Sequence, residues 1–386
     1  MSSNKNKYCL FVVVIGFLTT NSAYAQNYKK LDSILKTANN EIYSNPDNVI
    51  KIGEKVVKQA ENNVDYKIKG YKLISDGYSA KRNYEKSLEY LIKSSQLLNL
   101  SKDKLLKINI INKTGIQYHQ LKVYDKAIQY LDQAEELIAE YPYKDSVHTE
   151  LGKNYLVRGF IYKEKLSCAI AITYLDRGIV ELMKVKDVAN SSSKISIAVY
   201  NKGNCYLLMK NNKLALENFK KAATIAREIN AKSLEAFALK GSAKVLFLEG
   251  NYKEALEALN KALSLSVGVN DLILNQEIYR GLAENYLALS QWSQFEIYQL
   301  KFLETQKLIK DTERTSVSES LGVKEAELKA KKIELSNKFY YLLLILILIL
   351  ILIVLFFYVL VKRKTNEIKI IKDKIYLLQN QKVKEL

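Results

Sequence analysis

Apolar and small residues recur along the chain in six similar thirteen-residue segments, which predict a repeated helix. The segments are RNYEKSLEYLIKS from Arg82, KVYDKAIQYLDQA from Lys122, LSCAIAITYLDRG from Leu166, KNNKLALENFKKA from Lys210, GNYKEALEALNKA from Gly250 and SQWSQFEIYQLKF from Ser290. Their starts lie 40, 44, 44, 40 and 40 residues apart. A period of this length is typical of a repeat array in which each unit packs against its neighbours.

Within the first five segments, the sixth, tenth and thirteenth places hold a small, a large and a small residue, as Ala127, Leu131 and Ala134 do in the second segment. Steps of four and three place these residues on one face of a helix. An aromatic residue usually stands four places before the segment and a small residue three places earlier still, as Tyr118 and Gly115 do. We therefore predict a preceding helix with a notch that receives the large side chain.

This order of small residue, aromatic residue, turn and small-large-small face resembles the tetratricopeptide repeat, a solenoid of helical hairpins. The resemblance covers residues 68–302, and the segment NPDNVIKIGEKVV from Asn45 resembles the second helix of a degenerate leading unit within residues 26–67. The period exceeds the ~34 residues usual for this family. We predict an all-α, tetratricopeptide-like α-solenoid of helical hairpins, followed by a long stalk helix and one transmembrane helix.

Residues 339–361 contain no charged side chain, which predicts the transmembrane helix. A helix of this length measures about 34 Å, enough for a hydrocarbon core of about 30 Å. Tyrosines stand near both ends, and three basic residues, Lys362, Arg363 and Lys364, follow. We predict a charged juxtamembrane helix at 303–338 and a basic amphipathic helix on the cytoplasmic side at 362–386.

A second apolar run, near the N-terminus, predicts a cleaved signal peptide at 1–25. Lys5 and Lys7 precede this run, and Ala23 and Ala25 form the small-x-small motif of a cleavage site. An uncleaved anchor is the alternative. Together with the span, the run predicts an exported, periplasmic region from about residue 26 to 337 and a cytoplasmic C-terminal tail.

The basic character of the chain extends into this exported region. Of the net charge of +18, Lys5 and Lys7 contribute two and the part from Lys338 onward contributes six, which leaves +10 in between. A basic exported surface suits acidic peptides, anionic glycans or anionic lipid. A solvated, lysine-rich surface accounts for the same charge more simply.

The sequence offers few residues for catalysis or metal binding. The exported part has two histidines, His119 and His148, and it has no HExxH, paired CxxC or glycine-rich phosphate motif. We therefore expect no enzymatic activity, no metal and no cofactor. Its two cysteines, Cys168 and Cys205, are expected to be small buried residues, and the sequence leaves open whether they form a disulfide.

The family resemblance implies that the first helix of each hairpin lines a concave groove at its second, fifth and ninth positions. Carried onto this chain, the positions include nine donors, which are Lys69, Lys72, Asn109, Asn112, Lys153, Asn204, Lys240, Lys244 and Arg280. Three acidic residues share the register, namely Asp76, Glu277 and Glu284. We expect a donor surface for the carbonyls and carboxylates of an extended peptide. A lysine-rich solenoid without a ligand would give a similar set.

The order of exported array, stalk, span and tail resembles that of bacterial sensor-regulators whose tail continues into a DNA-binding or histidine kinase domain. The tail here is too short to bury a core, so we expect either a truncated member of that group or an adaptor in signal transduction. The stalk and tail helices also allow a homodimer. The alternatives are an envelope-assembly scaffold and a protein that binds anionic glycan or lipid. Direct binding of nucleic acid is not expected.

Overall fold

The computed structural model describes residues 28–42, 45–267, 269 and 271–384, and within them the predicted all-α fold is confirmed. The predicted signal peptide at 1–25 lies outside the described residues. Fourteen α-helices occur in the described part of the chain, and no described residue belongs to a strand. They are α1 (28–40), α2 (Pro46–Gln59), α3 (Val64–Ala80), α4 (Tyr84–Leu97), α5 (Lys104–Gln120), α6 (Tyr124–Glu140), α7 (His148–Lys165), α8 (Cys168–Met183), α9 (Val188–Leu208), α10 (Asn212–Glu228), α11 (Lys232–Leu248), α12 (Tyr252–Ser266), α13 (Leu272–Ala288) and α14 (Trp292–Lys384).

The chain divides into two compact units, Met1–Ser316 and Val317–Leu386, and the repeat array belongs to the first. Consecutive helices form hairpins, beginning with α1–α2 and ending with α13 and the start of α14. The second helix of each hairpin packs against the first helix of the next. The array is therefore a solenoid in which each hairpin is stabilised by its neighbours.

Side-chain caps fix where many of these helices begin. The side chain of each cap accepts a hydrogen bond from a backbone N–H two or three residues further on, which satisfies a donor left free in the first turn. The caps of this kind in the described residues are Asn45, Asn63, Asn83, Asp103, Ser167, Asn211 and Asp271.

Five hairpin turns share one backbone conformation, with a left-handed residue between the two helices. These residues, with φ between 57° and 79°, are Arg82, Lys122, Lys210, Gly250 and Ser290. The N–H that follows each of them donates to the carbonyl at the aromatic position of the first helix, and for Asn83 and Tyr78 the N···O distance is 2.9 Å. This is a Schellman closure, which ends the first helix, and three residues separate that helix from the second.

The predicted notch and its large side chain are both present. A Cβ added to Gly159 would lie 2.8 Å from Leu175, and one added to Gly203 would lie 2.7 Å from Phe219. Phe219 also packs against Gly241 of the next hairpin, where an added Cβ would lie 2.6 Å away. Only the absence of a side chain at these positions lets the helices approach so closely.

The aromatic residue of the first helix contacts a tyrosine of the second helix in four hairpins, stacked in three of them and tilted in the Tyr162–Tyr174 pair. Ring centroids lie 4.8–5.7 Å apart in the pairs Tyr78–Tyr90, Tyr118–Tyr130, Tyr162–Tyr174 and Tyr286–Tyr298. Such contacts add to the burial of apolar area within each hairpin. Packing therefore accounts for a large share of the tyrosine content.

The last helix contains an apolar stretch that no described residue covers. The segment Leu335–Lys374 of α14 is long and apolar enough to cross a membrane, and its most apolar 18-residue stretch has a mean hydropathy of 3.7. Every residue from 339 to 361 is exposed. A buried core helix, the other explanation for such a stretch, is thus ruled out within the described chain.

We expect Gly203→Ala to destabilise the solenoid by about 1–3 kcal/mol, because the added Cβ overpacks against the Phe219 ring. Urea unfolding of the full-length protein in detergent, followed by circular dichroism, measures the change. Phe219→Leu in the Gly203→Ala background tests the cause, since a shorter side chain relieves the clash. The second substitution should then cost less than it costs alone, and equal costs in both backgrounds would contradict this explanation.

Candidate peptide-binding groove

All nine predicted groove residues lie on the first helices of their hairpins, from α3 to α13. Polar side chains at similar heights on successive first helices are joined across the hairpins, and we call these contacts the groove ladder. Its pairs are Asp76–Lys113, Asn109–Glu150, Asn112–Glu150, Asn112–Asn154, Lys240–Glu277 and Lys244–Glu284. Each pair spans about one repeat, so the ladder joins α3 to α5, α5 to α7 and α11 to α13.

An N-terminal cavity of about 470 Å³ opens between α1, α3 and α5. Its apolar part consists of four leucines, Leu35, Leu73, Leu105 and Leu106. Its polar part consists of Asp32, Lys36, Asn39, Lys69, Lys72, Asp103 and Asn109, which include three of the predicted groove residues. This volume lies within the range of roughly 300–1,000 Å³ that is typical of ligand sites. Apolar and polar groups meet in the cavity, as they do in such sites.

A C-terminal cavity of about 90 Å³ lies between α9, α11 and α13. Four predicted groove residues line it, namely Asn204, Lys240, Lys244 and Arg280. Phe219 and Phe247 close its apolar side. The space admits a few water molecules, which makes this cavity much smaller than the N-terminal one.

Glu150 is the centre of a buried polar network between the two cavities. Its carboxylate accepts hydrogen bonds from Asn109 and Asn112 at 2.9 Å and from Lys153 at 2.8 Å. Burial raises the pKa of Glu150, but the Lys153 ammonium and these hydrogen bonds outweigh burial, so that the pKa is lowered. Asn154 extends the network by donating to Asn112 at 3.1 Å.

Asp76 forms a second buried centre, with two lysines on one carboxylate. Lys72 donates to it at 3.0 Å, and Lys113 of the next hairpin is ion-paired with it. Burial raises the pKa of Asp76, but the two ammonium groups outweigh this effect and lower it. Burial lowers the pKa of Lys113, and the Asp76 carboxylate opposes that shift. The carboxylate therefore joins α3 to α5 as a charged group.

The predicted donor groups of the groove are paired within the chain. All six predicted cations form an ion pair with a carboxylate of the chain, in the pairs Lys69–Asp32, Lys72–Asp76, Lys153–Glu150, Lys240–Glu277, Lys244–Glu284 and Arg280–Glu277. Asn112 is fully buried and so does not line the open groove. The concave face therefore carries opposite charges side by side. Binding of a peptide by the nine residues stays a prediction.

The sequence analysis did not predict three residues of this face: Lys113, Glu150 and Lys194. Glu150 lies 41 residues after Asn109, so a search for acids one repeat away from each donor would have found it. Lys194 lies on α9, near Lys153 and Glu150. Burial, and then the charge of Lys153, lower the pKa of Lys194 to about 8. No sequence signal indicated this shift, because it depends on which hairpins meet.

The comparisons with known proteins agree with this architecture. The family model of the tetratricopeptide repeat matches residues 195–266, which extend from α9 to the end of α12. Among curated proteins, no sequence matches the chain significantly. The helical array is thus tetratricopeptide-like, as its sequence pattern predicted.

Three solved structures show the same fold at low sequence identity. A signal-transduction ATPase (STAND) protein with a tetratricopeptide repeat sensor, from Pyrococcus horikoshii, has a TM-score of 0.51 and 13% identity over 74% of this chain and 50% of that chain. Aspartyl phosphate phosphatase F from Bacillus subtilis has a TM-score of 0.52 and 17% identity over 68% of each chain. NprR in complex with its cognate peptide NprX has a TM-score of 0.50 and 15% identity over 70% of this chain and 75% of that chain. The chain spans half the length of the STAND protein.

We expect Glu150→Gln to destabilise the array by about 2–3 kcal/mol, because it leaves Lys153 with no charge partner in a buried network. Glu277→Gln is the matched control. It changes the same residue type in the groove, but the Glu277 side chain is 28% exposed and that of Glu150 is 9% exposed. The control should cost less than about 1 kcal/mol in the same urea titration. Similar costs at both sites would contradict the buried network.

Because its pKa is lowered in the folded chain, Lys194 makes the free energy of unfolding increase with pH. Between pH 8 and its ordinary pKa near 10.5, Lys194 is neutral in the folded chain and protonated in the unfolded chain, so stability rises with pH. Lys194→Met removes this rise. The free energy of unfolding of the variant relative to wild type should fall by roughly 1 kcal/mol from pH 7 to pH 9.5, because solvent around the partly exposed ammonium reduces the effect of the full shift. A pH-independent difference would show that Lys194 titrates normally.

Proposed function

We propose that this chain is a membrane-anchored protein that holds an extended peptide, or an extended segment of a protein, in its concave groove and acts as a sensor or adaptor in signalling. The N-terminal cavity carries the proposal. It combines an apolar surface of leucines with polar groups on three first helices. An extended peptide places alternate side chains on opposite faces, so one side chain enters such a cavity while the backbone stays near the polar groups.

A buried acceptor at the N-terminal cavity also favours a peptide backbone. The Oδ1 atom of Asn109 has no hydrogen-bond partner among the described residues. A buried acceptor without a partner costs about 1–3 kcal/mol. A backbone N–H of a bound peptide would supply the missing donor.

The neighbours of known structure support a peptide ligand at the level of the fold. NprR, which shares the architecture, was solved with its cognate peptide. The STAND protein carries its tetratricopeptide repeats as a sensor. The pairing of every predicted groove cation with a carboxylate weakens the case for an anionic glycan, since such ligands need unopposed positive charge.

The membrane part of the proposal rests on the exposed apolar stretch of α14. Residues 339–361 would cross the bilayer, with Lys362, Arg363 and Lys364 on the cytoplasmic side. The signal peptide predicted at 1–25 would then place the repeat array in the periplasm. Pairing of two chains through the stalk and tail helices stays part of this proposal.

Filling the N-terminal cavity should abolish ligand capture. Asn39 is exposed on α1 and lines the cavity, whereas its neighbour Asn40 is exposed and does not. We expect the Asn39→Trp variant to co-purify with about one tenth or less of the amount of peptide that the wild-type protein retains, because the indole occupies the peptide site. Asn40→Trp controls for an added tryptophan and should retain them. Quantitative mass spectrometry of acid-eluted peptides is the measurement, and equal loss in both variants would refute the cavity as the site.

Removing the C-terminal tail distinguishes a signalling role from a role as an assembly scaffold. Affinity capture from membranes compares the full-length protein with a chain that ends at Lys364. Loss of a cytoplasmic regulator from the captured set, with periplasmic partners unchanged, is expected of a sensor or adaptor. An unchanged set of exported partners alone would favour a scaffold, and the signalling role would be dropped.

A further inference from the structure

Two thiols meet at the junction between the fourth hairpin, α7–α8, and the fifth, α9–α10. Cys168 is the first residue of α8, and Cys205 lies in the last turn of α9. Only residues 184–187 join α8 to α9, and the two helices pack against each other, which brings the start of α8 beside the end of α9. There the two sulfhydryl groups are hydrogen-bonded. Both are free cysteines in the described chain. They belong to different repeats, so a bond between them would join the repeats covalently.

The surrounding contacts hold this junction in place. α8 packs along α9. The hydroxyl of Ser167 accepts a hydrogen bond from the N–H of Ile170 at 3.3 Å, which fixes the start of α8 next to Cys168. Lys163 donates to Asn201 at 3.1 Å, and Asn201 precedes Cys205 by one helical turn. Both thiols therefore lie on helices whose positions are fixed by these contacts.

The two thiols differ in access to solvent. Cys205 is 0% exposed, whereas Cys168 is half-buried. Burial, and then the hydrogen bond with Cys168, raise the pKa of Cys205 to about 12, so this thiol stays protonated at neutral pH. A reagent in solution therefore reaches the pair through Cys168. Here the expectation that both cysteines are buried is wrong for Cys168.

We infer that Cys168 and Cys205 form an oxidation site that a disulfide donor, such as an oxidised dithiol protein or oxidised glutathione, converts into a bond between two repeats. The thiolate of Cys168 attacks one sulfur of the donor and releases the other as a thiolate. The Cys205 sulfur then displaces the second donor sulfur from Cys168, and its proton passes to the released thiolate. Two protein thiols are oxidised and one donor disulfide is reduced to two thiols.

A disulfide between Cys168 and Cys205 would affect the groove by restricting the rotation of one repeat relative to the next. A solenoid takes its curvature from small rotations between consecutive repeats. The α8–α9 junction lies between the helices of the N-terminal cavity and those of the C-terminal cavity. Closing the bond would restrict rotation at this junction, which is one of those that determine the spacing of the two cavities. This chemistry needs no peptide ligand and stands independently of the proposed function.

The test uses the full-length protein in detergent, with Cys9→Ser in every variant so that two thiols remain. Purified protein is equilibrated with mixtures of reduced and oxidised glutathione, quenched with acid, denatured and alkylated with a maleimide reagent. Cys168→Ala and Cys205→Ala variants serve as matched controls. Mass spectrometry distinguishes an internal disulfide from a glutathione adduct, and a non-reducing gel detects linked dimers.

We expect both thiols to disappear together in the two-cysteine protein, with the loss of two hydrogens and no added glutathione. The oxidised protein should unfold at a higher temperature than the reduced one. The Cys205→Ala variant should take up one glutathione on Cys168. A stable adduct on Cys168 with Cys205 still alkylated, a disulfide-linked dimer, or two unreacted thiols would each overturn the inference.

Discussion

Phe219 packs between Gly203 of its own hairpin and Gly241 of the next, and this kind of close contact controls the spacing of the whole array. A side chain at either glycine would push the helices apart. Because the groove ladder links groups one repeat away, it needs the first helices to stay at this spacing. The apolar packing on one side of the first helices is therefore a condition for the polar contacts on their concave side.

The charged groups of the predicted groove hold neighbouring repeats together. Glu150 draws donors from α5 and α7 onto one carboxylate, and Asp76 does the same for α3 and α5. Buried charge is expensive to desolvate, and only nearly complete pairing makes it tolerable. Such pairs also favour one register between hairpins over its alternatives. The polar contacts between the first helices are therefore structural contacts, whatever else this face binds.

The sequence predicted the hairpins, the notches and the apolar stretch of α14, because each of these depends on residues close together in the chain. Groove positions such as Lys244 were also placed on the correct helices. Their partners were not predicted, since Glu284 lies 40 residues away and meets Lys244 only through the stacking of repeats. The burial of Asn112, the contact of Cys168 with Cys205 and the lowered pKa of Lys194 depend on the same stacking. What a single hairpin determines could be read from sequence, and what two hairpins determine together could not.

The internal pairing of the groove cations affects how strongly any ligand can bind. A carboxylate that approaches Lys244 competes with Glu284, which is tethered 3.0 Å away and cannot diffuse off. The protein thus contains its own competitor at a high effective concentration. A ligand that displaced Glu284 would gain only the difference between its own contacts and those it replaced, which would limit its affinity. Occupancy of such a groove would follow a changing ligand concentration closely instead of trapping the first molecule that arrives.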